Sequence, residues 1–334
     1  MMRNGYPLVE LHRHLDGNVR IETVIDLARQ HSLALPAWTP EDLRPHVQVV
    51  EPTPGVMAFI AKFELLRHVM VDYDAVRRIA WENLEDAVNE EIDYIELRFS
   101  PYFIAEAHGL DPVGVAETVC DALEEAKGEL PVHAKLIGII SRTYGPEIAW
   151  TELEAAIHYR DRGIVALDLA GDEANYPGEL FVEHFRKAQE AGLHTIAHAG
   201  EAAGAESVRQ AVLELRAERI GHAVHALGDP ATMDLLADRC IPIESCPTSN
   251  VQTSTVSSYQ AHPLPAFLER GLLVTLNTDD PSISGIDLAH EYRVVREEMG
   301  LDDADLLQLQ EYAVKAAFLT AEERTELLAL SSDQ

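Results

Sequence analysis

Eight short runs rich in apolar and β-branched residues recur along the chain, and helical periodicity separates each from the next. They are Pro7–Leu11, Tyr94–Phe99, Val132–Ile140, Ile164–Leu169, Thr195–Ala199, Arg219–His222, Ile241–Ser245 and Leu273–Asn277. Strands joined through helices pair in parallel, and a parallel sheet needs both faces covered. A closed (β/α)8 barrel and an open doubly wound sheet both meet that demand. The first strand lacks the glycine-rich phosphate loop of the doubly wound fold. The residues with chemistry to offer follow strands one, four, five, six and eight. A barrel brings those ends to one mouth, whereas an open sheet leaves some of them far apart. The expected fold is therefore α/β: one TIM-type (β/α)8 barrel domain over 1–334, with extra helices after the first strand and at the C-terminus.

The periodicity predicts helices over 20–32, 56–69, 74–90, 152–160, 179–190, 207–215, 231–238, 264–270 and 303–330. Asp111-Pro112 adds a further start, a capping residue before proline, for a helix running to about Lys127. Phe59, Ile60 and Phe63 lie on the helix over 56–69, where core packing is their ordinary role. Five prolines between Pro36 and Pro54 predict a long irregular excursion, a kind of segment that is usually functional.

Composition narrows the class. A chain of 334 residues, 47% hydrophobic, can bury a sizeable core. Its 57 acidic residues outnumber 26 basic ones, for a net charge of −31. Such a field repels phosphate backbones and anionic membranes, so neither nucleic acid nor membrane is an expected partner. The three cysteines, Cys120, Cys240 and Cys246, form no C-x-x-C and fit a reducing compartment. No apolar run approaches the ~18 residues of a membrane span. Met1–Tyr6 is too short for a signal peptide ahead of the first strand. The expected location is the cytoplasm; the oligomeric state is left open.

Chemistry gathers at the C-terminal strand ends. His12 and His14, two apart, share one face of an extended segment. His198 ends the fifth strand, and Gly200 lets the chain bend so that Glu201 turns toward the same space. His222 ends the sixth strand, and Asp279 and Asp280 follow the eighth. A lone histidine at a strand end is ordinarily a satisfied structural residue, but several converge here. Imidazoles with a carboxylate suit zinc, which takes nitrogen and oxygen ligands and lowers the pKa of bound water toward ~7. His222 can be read as a fourth ligand or as a base beside the metal. Adjacent Asp279 and Asp280 point opposite ways, so one would coordinate and the other would hold the water. The fourth strand end offers Gly171-Asp172-Glu173 and no lysine that could bridge two metals, which favours one metal.

The motifs L-H-R-H-L-D-G (11–17), D-L-A-G-D-E (168–173), H-A-G-E (198–201), R-I-G-H (219–222), S-C-P-T-S-N (245–250) and N-T-D-D-P (277–281) together resemble the adenosine deaminases, the bacterial form above all. The resemblance spans essentially the whole chain. It implies a zinc-dependent barrel that hydrolyses adenosine and 2′-deoxyadenosine to the inosine products and ammonia, with a purine nucleoside as its small-molecule partner. It implies His12, His14, His198 and Asp279 as ligands of one zinc. Glu201 is implied as the acid that protonates the purine ring, and His222 and Asp280 as the groups that orient and deprotonate the water. On the substrate side it implies His14, Asp280, the Gly171 backbone N–H, Asp16 at the ribose 5′-hydroxyl, and an apolar gate of Phe59, Ile60 and Phe63, which displaces the core-packing reading. Asp16 has a competing local role as a turn cap before the first helix. Two other functions stand beside this one. One is deamination of another 6-aminopurine, either adenine or a modified nucleoside; the other is a non-catalytic, zinc-stabilised binding protein.

Overall fold

A computed structural model of the chain describes residues 6–330. Residues 1–5, most of the stretch read as too short for a signal peptide, lie outside them. Eight parallel strands form one sheet in sequential order: β1 Val9–His14, β2 Tyr94–Phe99, β3 His133–Ser141, β4 Ile164–Ala170, β5 His194–Ala199, β6 Arg219–His222, β7 Ile243–Ser245 and β8 Val274–Leu276. The sheet curls back on itself just beyond β8. Asp279 N–H donates to the His12 carbonyl and His14 N–H donates to the Asp279 carbonyl, both at 2.8 Å. The (β/α)8 expectation holds.

Side-chain alternation sorts each strand into two faces. On β4, Leu167 and Leu169 join the apolar layer between barrel and helices, while Ala166 and Asp168 point inward. On β5, Ala197 and Ala199 face the helices, and Ile196 and His198 face the axis. Helix residues such as Ile79, Val119, Leu153, Phe185 and Phe267 fill the outer layer. Each such side chain contributes about 1.5–3 kcal/mol by leaving water. Ile137, Ala166 and Ile196 with Phe318 make a small apolar cluster inside the barrel.

Above that cluster the axis is charged. Arg98 pairs with Asp168 at 2.6 Å and Glu244 at 2.7 Å, and Arg219 pairs with Glu96 at 2.5 Å and Glu244 at 2.7 Å. All five side chains are buried, so each charge depends on its partners to offset desolvation.

The structure departs from the expected helices in definite places. The segment over 56–69 is two helices, Val56–Ile60 and Phe63–His68. The break at 61–62 lets Lys62 Nζ reach the Pro45 carbonyl at 3.0 Å and sets Phe63 edge-on to Phe59 and Phe103; tertiary contacts override local propensity there. The proline-rich excursion contains a helix, Pro40–Val47, started by Thr39, whose side chain accepts from the Asp42 N–H. The helix expected over 152–160 begins earlier, at Gly145, and runs to His158. The C-terminal stretch divides into Asp303–Ala316 and Ala321–Leu330. Helices Pro101–Glu106, Pro247–Gln252, Pro281–Ser284 and Leu288–Glu297 are additional.

Candidate active site and metal centre

β1, β5 and the end of β8 bring His12, His14, His198 and Asp279 together, with one donor atom from each within 4.8 Å of the others. Asp279 Oδ1 lies 3.2 Å from His12 Nε2 and 3.3 Å from His14 Nε2, and His14 Nε2 lies 3.3 Å from His198 Nε2. The far side of two rings is already engaged. His12 Nδ1 meets Glu244 at 2.7 Å and His198 Nδ1 meets Asp168 at 3.1 Å. A carboxylate there holds the ring proton on Nδ1 and turns the Nε2 lone pair toward the centre. His12 Nε2 is buried and has no hydrogen-bond partner. A cation accounts for such an orphaned acceptor among other acceptors, and three imidazoles with one carboxylate form a donor set suited to a first-row divalent metal. The four residues fit a metal.

Electrostatics distinguish the members. Burial pushes the His198 imidazolium down to about 3, against the pull of Asp168, so the ring is a neutral ligand at physiological pH. Burial works to raise Asp279, but the His12 and His14 ring nitrogens at 3.2 and 3.3 Å and the nearby His222 imidazole overcome it and hold it well below the usual carboxylate range. Asp280 next door is raised, by burial and then by Asp279, Asp16 and Glu201. Glu201 is pushed up to about 8 by burial, Asp279 and Glu173. One carboxylate is thus held as an anion while another keeps a proton to give.

His14, Phe59, Ile60, Phe63, Gly171, Glu201, His222, Asp279 and Asp280 line one cavity at the mouth, with His198 at its base. Asp16 lines an adjoining cavity that shares His14, Ile60, Phe63 and Gly171. Its Oδ1 is buried without a partner, while its carboxylate also takes local backbone hydrogen bonds, from its own N–H and that of Ser100; the first helix itself has Arg20 at its cap position with no side-chain bond. Of the ligand, acid–base and substrate-side residues expected from the sequence, all but His12 line one or both of these cavities.

Backbone geometry serves the site. His222, Ala223 and Asp279 adopt φ of 65°, 51° and 66°, a left-handed conformation uncommon outside glycine and often found at active sites. Gly17 is needed because a Cβ there would overlap the Asp280 carboxylate.

Several contributors escaped the sequence reading. Asp168 and Glu244 steady the ligand histidines, and their signal was a lone charge on a buried strand. Glu173 accepts from the backbone N–H groups of Gly200, Glu201, Ala202 and Ala203 at 2.7–3.1 Å and so fixes the turn that carries Glu201. Ser249 Oγ donates to Asp279 Oδ2 at 2.6 Å. Cys246 lies close to His222 and Asp279, although no cysteine motif pointed to it.

Comparison with known proteins follows the same lines. Residues 7–332 match the family model described as adenosine deaminase. The chain is 52% identical over 329 residues to an adenosine deaminase of Shewanella loihica, covering 98% of this chain and 99% of that one. Among solved structures it resembles an adenine deaminase of Arthrobacter aurescens, with TM-score 0.89 at 24% identity over 98% of both chains. It also resembles an amidohydrolase of Burkholderia ambifaria with bound zinc, with TM-score 0.86 at 25% identity over 98% of this chain and 90% of that one.

Proposed function

The chain belongs to the adenosine deaminase family, hydrolases that deaminate adenosine, and we propose that the reaction runs at the barrel mouth with one zinc ion per chain, on adenosine and 2′-deoxyadenosine alike. The observation that carries this reading is the four-residue donor cluster with Glu201 and Asp280 facing the same cavity. Zinc as the metal is supported by the nitrogen-rich donor set and by the zinc bound in the Burkholderia ambifaria amidohydrolase. When bound, it supplies a nucleophile at neutral pH by lowering the pKa of water toward ~7.

His12, His14, His198 and Asp279 hold the metal. Attack at C6 breaks the aromaticity of the purine and needs the adjacent ring nitrogen protonated. Glu201, kept in its acid form by burial and neighbouring carboxylates, gives that proton from its carboxyl oxygen. Asp280 and His222 orient the attacking water and remove its proton. Ammonia then leaves, and inosine or 2′-deoxyinosine remains. The Gly171 N–H and His14 position the base, and Asp16 accepts from the ribose 5′-hydroxyl. Phe59, Ile60 and Phe63 close over the purine and exclude water. The three cysteines are free, in keeping with a cytoplasmic enzyme, and among the described residues no helix is long and apolar enough to cross a membrane. The barrel works as one domain on a small molecule, without nucleic acid or membrane as partner.

The test combines elemental analysis with an ultraviolet assay of adenosine, 2′-deoxyadenosine and adenine. One zinc per chain and turnover of both nucleosides are expected. Preference for free adenine refutes the nucleoside reading, and two tightly bound metals in active enzyme refute the single-metal centre.

A further inference from the structure

Three of the four candidate metal donors straddle the seam where the barrel closes. From β1 round to β8 each strand pairs with the next at two or more positions. Between β8 and β1 the described residues show a single bridge, Arg13 with Asp279. His12 and His14 stand on one lip of that seam and Asp279 on the other. β1 is irregular at the same level: Glu10 to Arg13 runs opposite Ile95 to Leu97, one residue shorter on β2, a β-bulge. The extra residue puts Glu10 and Arg13 on one face, 3.5 Å apart; in a regular strand residues three apart point opposite ways.

Side chains replace the missing ladder. Glu10 Oε1 accepts from the His12 N–H at 3.1 Å, and its Oε2 accepts from the Thr278 N–H at 3.1 Å and from Thr278 Oγ1 at 2.8 Å. Asn277 Oδ1 accepts from the Leu11 N–H at 3.0 Å. Arg13, the residue between the two histidines, donates through Nε to Thr278 Oγ1 at 3.2 Å and through both ends of its fork to Glu90 at 2.8 Å. Glu90 follows the helix Tyr73–Asn89 and also accepts from the Leu288 N–H at 2.9 Å, at the start of the helix Leu288–Glu297. Glu10, Arg13 and Thr278 are buried, and none of them lines the cavities at the mouth.

We propose that Glu10, Arg13, Thr278 and Glu90 form a positioning clamp that sets the width of the β1–β8 seam, and with it the grip of the four donors on the metal. The proposal rests on the single-metal reading. Asp279 Oδ1 stands 3.2 Å from His12 Nε2 and 3.3 Å from His14 Nε2 across the seam. The backbone bonds between Asp279 and β1 hold its upper end, and the clamp holds it directly below them. An ion that enters therefore meets donors already in place. Without the clamp the ion must draw the two lips together, and ordering them subtracts from its binding free energy. Groups that support metal ligands typically change affinity by about 10- to 100-fold.

Zinc release tests the clamp. Zinc-loaded enzyme is mixed with excess chromogenic chelator, well below its melting temperature, and the absorbance of the zinc chelate is followed. Arg13→Met keeps the side-chain stem and removes the fork; it should release zinc at least ~10-fold faster than wild type. Arg13→Lys, a point charge without a fork, should recover part of that loss. Thr278→Val keeps the shape of the side chain, removes the hydroxyl that joins Glu10 to Arg13, and should show a smaller change in the same direction. Leu153→Ala opens a core cavity in the helix between β3 and β4. It should lower thermal stability and release zinc as slowly as wild type. Release at the wild-type rate from Thr278→Val, or from folded Arg13→Met, overturns the proposal. So does rapid release from Leu153→Ala, which ties zinc loss to global stability and not to the seam. Wild-type enzyme that holds no zinc overturns instead the metal reading on which the proposal rests.

Discussion

Two levels of the same barrel treat buried charge in opposite ways. Along the axis, Glu96, Arg98, Asp168, Arg219 and Glu244 neutralise one another through short ion pairs. At the mouth, Asp16, Glu201 and Asp280 are also buried, yet among the described residues none of them pairs with an arginine or lysine. Asp16 Oδ1 and Asp280 Oδ1 have no hydrogen-bond partner. Each carboxylate of the lower level meets an arginine; the upper level leaves acceptors free for a ligand. The two meet at His12 and His198, whose Nδ1 atoms bond Glu244 and Asp168 below while Nε2 points up. Paired charge in the axis steadies the donor cluster, whereas the mouth leaves its carboxylates unpaired, as functional sites often do.

The contrast predicts different failures. Arg98→Met removes the common partner of Asp168 and Glu244 and should cost the largest amount, about 3–5 kcal/mol, as when one member of a buried ion pair is lost. Urea denaturation of the zinc-loaded protein measures it. A loss under about 1 kcal/mol would mean that the axis is not held by its charges, and the distinction between the levels would collapse.

Glu201→Gln should do the reverse. Folding and zinc content should be unchanged, because Glu201 touches none of the four donor atoms, while the proton for the purine ring is gone. The expected fall in kcat is at least ~10²-fold, typical of a positioned general acid. Elemental analysis beside steady-state kinetics separates the two effects; a variant that arrives without zinc would make Glu201 part of the metal site.

Asp16 gives a smaller effect, confined to one substrate group. A hydrogen bond to a charged acceptor is worth roughly 1.5–3 kcal/mol, about 10- to 150-fold. Asp16→Ala should lower kcat/KM for adenosine by that factor and leave 5′-deoxyadenosine nearly unaffected. An equal fall for both substrates, with the fold intact, would give Asp16 a structural role and move it to the lower level.

Much of this was legible in the chain because barrel chemistry is written at strand ends. His12, His14, His198, His222 and Asp279 each end or follow a short β-rich run, and parity sets them inward. The supporting partners were not legible in the same way. Glu244 meets His12 across 232 residues of sequence, and no local pattern couples the two. A charge on a buried strand looks like an error of assignment until the opposing arginines are in place. Helix breaks at 61–62 and 317–320 escaped because periodicity reports which face is apolar and is blind to a turn that keeps the face. Helix Pro247–Gln252 is too short for periodicity to register.

Glu152 tests whether every buried carboxylate belongs to one of the two levels. It lies on the helix Gly145–His158, accepts from Ser100 Oγ and, at 2.8 Å, from the Ser141 N–H, and pairs with no cation among the described residues. Burial outweighs those hydrogen bonds and pushes it up to about 8, with the Asp16 charge adding to the rise. It therefore belongs to neither level: it carries no paired charge and does not line the cavity. The folded form keeps its proton between about 4.5, its ordinary value, and about 8, whereas the unfolded form loses it at the lower end. The folded state binds the extra proton, so the contribution of Glu152 to stability is fully present below about 4.5 and declines as pH rises to about 8. The slope cannot exceed about 1.4 kcal/mol per pH unit for one proton. Glu152→Gln has nothing to ionise, so the stability of the variant relative to wild type should climb through that window and level off above it. Paired urea titrations from pH 5 to about pH 9 read the difference. A constant difference across the range would mean that Glu152 is ionised in the folded protein, and that a compensating charge, unlike anything at the mouth, stands beside it.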